Sequence, residues 1–262
     1  MRLLIDASPL LLRSAGVKNY LYHWLRALQS EARGVQVRAF PYLDSPGPLH
    51  HEASVLPAGP TWLRLALLYA ANFPGSPLLD LAAARADIFH ATNQVRRPPR
   101  RVLLTATVHD LTAALLPHLH TAANVRADAA FSERVLKRAA ALIAVSGHTR
   151  QDAVRVLGID ERRIEVIHPG VADAYFGARR EDGLARARSY GIARPYALFV
   201  GAIEPRKNIG LLLDVWGGLP GALREQFELV LAGPPGWAPQ ETAARLNAPP
   251  PGVRWLGYVP EI

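Results

Sequence analysis

Short, strongly apolar runs alternate with longer segments of helical periodicity along almost the whole chain. A run apolar throughout reads as a strand buried on both faces. A helix after each strand implies a parallel sheet with helices on both sides. The pattern predicts strands at Leu3–Asp6, Val35–Phe40, Asp87–His90, Val102–Val108, Ala141–Val145 and Ile164–Ile167. Helices are predicted at Tyr20–Ser30, near 61–72, near 77–85, near 122–140 and from Ser146 to about Leu157. In the first of these, Leu21, Trp24, Leu25 and Leu28 recur at i, i+3, i+4 and i+7. Arg13–Asn19 before it reads as a loop. Ser146 is placed to cap a helix and Gly158 to end it.

These elements make one doubly wound α/β unit over residues 1–175. Residues 176–194 mix charge with Gly and Ala and read as a linker with some helix. Residues 195–262 open a second unit: strand Tyr196–Gly201, helix Ile209–Trp216, strand Phe227–Gly233, a helix near 239–246 and strand Val253–Gly257. Three strands are half of a usual doubly wound sheet, so one flank of this unit is expected to be uncovered. Only 55 residues follow Lys207, too few to finish such a domain, and the chain reads as C-terminally truncated.

Composition narrows the function classes. There is no cysteine, which excludes disulfides, zinc–thiolate sites and a cysteine nucleophile. The hydrophobic share of 50% against 20% charged residues is that of a globular protein. The N-terminal apolar run is broken at Asp6, and the stretch Trp62–Ala86 is interrupted by Arg64, Asn72 and Phe73–Pro77. Neither reads as a signal peptide or a membrane span, so the expected location is cytoplasmic, with at most peripheral contact at the inner face of the membrane. The net charge is +8, and lysine occurs only at Lys18, Lys137 and Lys207. No recognition motif or aromatic-interleaved basic stripe accompanies that charge, so nucleic acid is not an expected partner. The loop Arg96-Arg-Pro-Pro-Arg-Arg101 is basic enough to meet anionic lipid or to stay in water.

Several familiar sites are absent. No G-x-G-x-x-G, Walker A, G-x-S-x-G, H-E-x-x-H or C-x-x-C occurs. His50-His51 and His118-Leu-His120 have no evident carboxylate partner, and no Asp-x-Asp pair is present to hold a metal against a diphosphate. Three places retain chemistry. Arg206-Lys207 lies in the Gly-and-Pro turn between a buried strand and an apolar helix, where a cation pair and a helix N-terminus point at one spot. Gly201 opens that turn, and Glu204 offsets part of its charge. His109-Asp110 stands at the C-terminal end of an apolar strand, the edge where open parallel sheets bind ligands. An imidazole there can bond a sugar hydroxyl or a leaving phosphate, with Asp110 orienting the ring. Gly16 sits between the first strand and the first helix, where a phosphate or sugar can approach the backbone.

Six segments in order carry a resemblance: Ser14-Ala-Gly-Val-Lys-Asn-Tyr20, Asp87-Ile-Phe-His-Ala-Thr-Asn93, Val108-His-Asp-Leu-Thr112, Ile143-Ala-Val-Ser-Gly-His-Thr-Arg-Gln-Asp152, Ile164-Glu-Val-Ile-His-Pro-Gly-Val171 and Val200-Gly-Ala-Ile-Glu-Pro-Arg-Lys-Asn208. In that order the chain resembles the retaining glycosyltransferases of family 4, which have the GT-B fold of two Rossmann-like domains facing across a cleft. The resemblance implies transfer of a mannose- or glucose-like hexose from a nucleotide-diphosphate sugar to a saccharide or lipid-linked acceptor. The acceptor would bind the first domain and the donor the second, with no metal and no cofactor besides the donor. Arg206 and Lys207 would hold the diphosphate beside Gly201, the loop at Gly16 would approach it from the opposite side, and His109 would sit by the transferred sugar.

Two departures stand out. Many relatives carry Arg directly after the first Gly of the second unit's opening strand, where this chain has Ala202. The family's two glutamates seven residues apart should come after residue 262, and Glu261 lies too early to be one of them. The chain alone is therefore expected to be inactive or nearly so. The competing expectation is a non-catalytic module that binds nucleotide sugars or needs a partner.

Overall fold

The computed structural model describes residues 1–14 and 16–260; Ala15, within the Ser14–Tyr20 segment, and Glu261 fall outside them. The described residues form two compact units, residues 1–117 with 121–171, and residues 118–120 with 172–260.

The first unit runs β1 (Arg2–Asp6), α1 (Gly16–Glu31), β2 (Gln36–Phe40), α2 (Ala58–Ala71), α3 (Leu78–Ala82), β3 (Ile88–Ala91), β4 (Leu103–Val108), α4 (Thr112–Leu115), α5 (Ala122–Arg134), β5 (Ala141–Ala144), α6 (Gly147–Leu157) and β6 (Ile164–Val166). Its six strands are all parallel, in the order β2-β1-β3-β4-β5-β6. The strand order reverses between β1 and β3, and the C-terminal edge at such a switch is where doubly wound sheets open a ligand crevice.

Side chains alternate across each strand, so each face feeds its own core. Leu4, Phe89, Leu104, Ala106 and Val108 join Leu68 of α2 and Phe131 of α5 on one side. Ile5 and Ala39 join Leu21 and Leu25 of α1 on the other. The helix α1 begins at Gly16, four residues before the predicted start at Tyr20. The reason is Lys18. It is fully buried and occupies the position three residues before Leu21, extending the inward stripe with a lysine. Its ammonium donates to the carbonyls of Leu12 at 2.8 Å and Ala53 at 2.5 Å. Burial pushes its pKa down to about 8.

The second unit runs α7 (Asp173–Phe176), α8 (Arg180–Ser189), β7 (Tyr196–Val200), α9 (Ile209–Gly218), α10 (Gly221–Gln226), β8 (Glu228–Ala232), α11 (Gln240–Asn247) and β9 (Val253–Trp255). Its parallel strands lie in the order β7-β8-β9. Ile209, Leu213 and Trp216 of α9 pack with Leu229, Leu231, Leu246 and Val253. β7 is an edge strand, and its Leu198 and Val200 are exposed. The uncovered flank expected from the strand count is therefore present.

Candidate functional site

In the first unit the C-terminal ends of β1, β3 and β4 collect the polar groups. Asp6 ends β1 and is fully buried. One carboxylate oxygen accepts from the Ser8 backbone N–H at 3.1 Å and from the Ser8 hydroxyl. The other accepts from the Thr92 hydroxyl at 2.9 Å and the Val95 N–H at 3.2 Å. A buried carboxylate is tolerated only when so supplied with donors. In the sequence Asp6 shows only as the break in an apolar run. Its place at the reversal between β1 and β3 makes it the fastener of the crevice floor.

The inward side chains of β3 and β4 beneath α1 are polar. The two ring nitrogens of His90 bond the hydroxyls of Thr105 and Thr107, each at 2.9 Å. The ring lies 4.8 Å from the Trp24 ring, centroid to centroid. Burial, and behind it the neighbouring His109, push the His90 pKa down to about 3. The folded-state value thus lies below that of the unfolded chain, which binds more protons between about pH 6.5 and 3. Stability is expected to fall as pH falls through that window, with His90 contributing a slope of about 1.4 kcal/mol per pH unit at most. Urea unfolding of the His90→Gln variant from pH 7 to pH 4 checks this: its stability should depend less on pH than the parent's.

His109 follows β4. Its ring stands edge-on to Tyr20 of α1, with centroids 5.0 Å apart. Burial lowers its pKa, and the charge of Asp110 opposes that shift, so the ring is neutral at pH 7. Its Nε2 is buried without a hydrogen-bond partner. Asp110 accepts from the backbone N–H of Thr112 at 2.9 Å and its hydroxyl at 2.6 Å, which fixes the turn into α4. The His109 carbonyl accepts from the Thr149 hydroxyl at 3.2 Å. Ser146, the cap of α6, in turn accepts from the Thr149 N–H. The end of β4 is thus tied to the first turn of α6. Gly16 is exposed, and the space where a Cβ would stand is open, so packing does not require glycine there.

In the second unit the turn after β7 is the other collecting point. Gly201 has φ +153, and Gly233, at the end of β8, has φ +152. A Cβ on Gly233 would lie 1.9 Å from the Gly201 carbonyl oxygen, so the two strand-end turns touch through backbone alone. Lys207 folds back over this turn, its Cε 4.0 Å from where a Gly201 Cβ would be. Pro205–Lys207 form one 3-10 turn, and Asn208, at φ +51, leads directly into α9. Arg206 is held by buried Glu204 through a 2.5 Å ion pair, while its Nε is buried without a partner. Lys207 is exposed and makes no ion pair among the described residues.

His109, Asp110 and Gly16 accordingly belong to the first unit, and Gly201, Arg206 and Lys207 to the second. Sequence reasoning missed Asp6, His90, Lys18 and Gly233. Asp6, His90 and Gly233 each end a predicted strand, which is the signal they left; Lys18 left none. Among the described residues no group of three or more His, Cys, Asp or Glu side chains is placed to hold a metal ion. No described helix is long and apolar enough to cross a membrane.

The sequence profile of Glycosyltransferase Family 4 matches residues 14–175. The O-antigen chain mannosyltransferase B of Escherichia coli is 29% identical over 181 residues, covering 66% of this chain and 46% of that protein. The chain thus spans about half the length of that curated relative. The crystal structure of HepE from Anabaena in complex with UDP and glucose is similar with a TM-score of 0.61 at 16% identity, covering 99% of this chain and 70% of that one. A glycosyltransferase structure from Rickettsia africae gives a TM-score of 0.57 at 16% identity, covering 98% and 68%. These structural likenesses establish the α/β fold as GT-B. The profile match spans more than half of the sequence and takes in the strand-end turns at Asn93, His109 and Ser146, and the chain therefore belongs to Glycosyltransferase Family 4.

Proposed function

We propose that the chain supplies acceptor-side and donor-side parts of a glycosyltransferase that moves a hexose from a nucleoside-diphosphate sugar to a saccharide or lipid-linked acceptor. The carrying observation is His109, a buried neutral imidazole with an unpaired Nε2 at the end of β4, inside the family-matched segment. In the reaction the bond from the sugar C1 to the diphosphate breaks, and the nucleoside diphosphate leaves with the electron pair. An acceptor hydroxyl bonds to C1 and loses its proton. Positive charge builds on the sugar ring, so a neutral imidazole can bond a ring hydroxyl without repelling it. Negative charge builds on the leaving diphosphate, for which Lys207 and the unpaired Nε–H of Arg206 are the donors. With these cations in place, transfer is proposed to be metal-independent and retaining. The O-antigen chain mannosyltransferase relative favours mannose as the sugar and a polysaccharide chain as the acceptor.

The test combines equilibrium binding of GDP-mannose and UDP-glucose with transfer of radiolabelled sugar to a lipid-linked saccharide. The expected result for this 262-residue chain is donor binding with little or no transfer. Absence of binding by either donor overturns the reading, and robust transfer overturns the expectation that the chain alone is inactive. A second reading, a donor-binding module completed by a partner chain, is favoured by the exposed apolar edge at Leu198 and Val200. A protein that stays monomeric at high concentration counts against self-association as that completion.

A further inference from the structure

We propose that Tyr20 is a positioning residue for His109: its phenol ring, anchored through Thr107 to His90, sets the plane of the His109 imidazole and keeps Nε2 free for a ligand. The inference rests on the reading of His109 as a sugar contact, and its test separates the two. Tyr20 and Trp24 stand four residues apart on α1, a spacing that puts both on one helix face. Their rings are stacked, with centroids 5.9 Å apart and 18° between planes. The His109 ring meets the Tyr20 ring nearly at a right angle, with 87° between planes. That is a preferred geometry for two rings and favours one tilt over others.

A phenol that only filled the core would have no use for its hydroxyl. Here the Tyr20 hydroxyl bonds Thr107 of β4. Thr107 in turn bonds Nε2 of His90 at 2.9 Å, and Nδ1 of His90 bonds Thr105 at 2.9 Å. Thr107 and His90 are 1% and 3% exposed. Each hydroxyl has one proton to give, and a neutral imidazole has one donor and one acceptor nitrogen. Run inward from Tyr20, the chain uses them without conflict: the phenol donates to Thr107, Thr107 to Nε2, and Nδ1–H to Thr105. A buried polar chain with its members supplied holds one arrangement, because a shifted one leaves a buried group unpaired. Trp24 closes the assembly, since its ring lies against both Tyr20 and His90. The Tyr20 ring is thus fixed at its hydroxyl by β4 and along its plane by Trp24.

His109 needs such a support. Its Nε2 is buried without a partner, so no hydrogen bond at that nitrogen fixes the ring. The bond from Thr149 to its carbonyl fixes the backbone and leaves the side chain to rotate. The terminal torsion of a histidine is broad, so packing decides where the ring plane lies. The ring packed against it is that of Tyr20. The other titratable groups that face the imidazole are His90 and Asp110.

The experiment is a pH titration of the His109 ring by long-range 1H–15N correlation in the 262-residue chain, with its signals assigned from H109Q. In the parent, His109 should titrate below the ordinary histidine value because the ring is buried. Y20L removes the ring that covers it and should raise its pKa toward that value. Y20F keeps the ring but loses the anchor, and a smaller upward shift is expected. T107V cuts the same chain from the other side and should act in the same direction. Melting temperatures identify any variant that fails to fold, and Y20F, which removes a single oxygen, carries the test if Y20L does. A His109 pKa unchanged in Y20L, or a Y20F titration that coincides with the parent's, overturns the proposal. The same spectra with UDP-glucose or GDP-mannose added test the sugar contact separately. A His109 Nε2 that responds to neither donor overturns that contact, whatever the Tyr20 variants show.

Discussion

Asp6→Ala is expected to lower the unfolding free energy of the first unit by about 2–6 kcal/mol, because it leaves two buried backbone N–H groups unsatisfied at about 1–3 kcal/mol each. The carboxylate is fully buried and accepts from two backbone N–H groups and two hydroxyls. These donors come from the turn after β1 and the turn after β3, so the group joins the two strands at the point where the strand order reverses. Alanine leaves the N–H groups of Ser8 and Val95 facing a small dry void. The Thr92 hydroxyl keeps the Asp6 carbonyl as a second partner at 3.0 Å, which limits the loss. Asp6→Asn preserves shape but sets an NH2 against groups that are themselves donors, and an intermediate loss is expected. Urea unfolding followed by far-UV circular dichroism checks both variants. A loss below about 1 kcal/mol for Asp6→Ala would show that the network is worth no more than one ordinary hydrogen bond.

Lys207→Ala is the second large effect. In a form of the protein that transfers sugar, it should lower kcat/KM by about 2–4 kcal/mol of transition-state stabilisation, the scale of one preorganised donor. Lys207 is the cation of the turn that makes no ion pair among the described residues, whereas Arg206 is already committed to Glu204. Arg206→Ala should therefore cost transfer less than Lys207→Ala, because the Arg206 charge is partly offset before any diphosphate arrives. Steady-state kinetics on the two variants orders them. An Arg206 effect larger than that of Lys207 would make Arg206 the principal diphosphate contact instead.

The parallel order of elements was legible because apolar runs such as Val102–Val108 are buried on both faces and need no tertiary information to be recognised. The Ser146 cap and the Gly158 stop at α6 were legible for a similar reason, since each is local chemistry. What escaped was polar burial. Lys18 continues the inward stripe of α1 as a charged residue, so the periodicity seemed to start later than the helix does. Asp6 and His90 acquire their meaning only from Thr92, Thr105 and Thr107, which are distant in sequence. The predicted helix near 122–140 breaks at Val135, where φ −117 and ψ −65 turn the chain into a separate 3-10 turn at Leu136–Arg138. The short α10 after Pro220 lacks the length to show a period. At the candidate site the residue types were legible, but the contacts were less so. The Arg206–Glu204 pairing was foreseen only as an offset of charge, and the fold of Lys207 over Gly201 not at all.

The turn after β7 is proposed to hold a nucleoside diphosphate through Lys207. Calorimetric titration of UDP and GDP into the chain, with Lys207→Ala alongside, tests it most directly. One of the two should bind with one-to-one stoichiometry, and Lys207→Ala should weaken that binding roughly ten- to a hundredfold, as for a lost charge-assisted hydrogen bond. Absence of binding by both nucleotides, or equal affinity in the variant, would contradict the account.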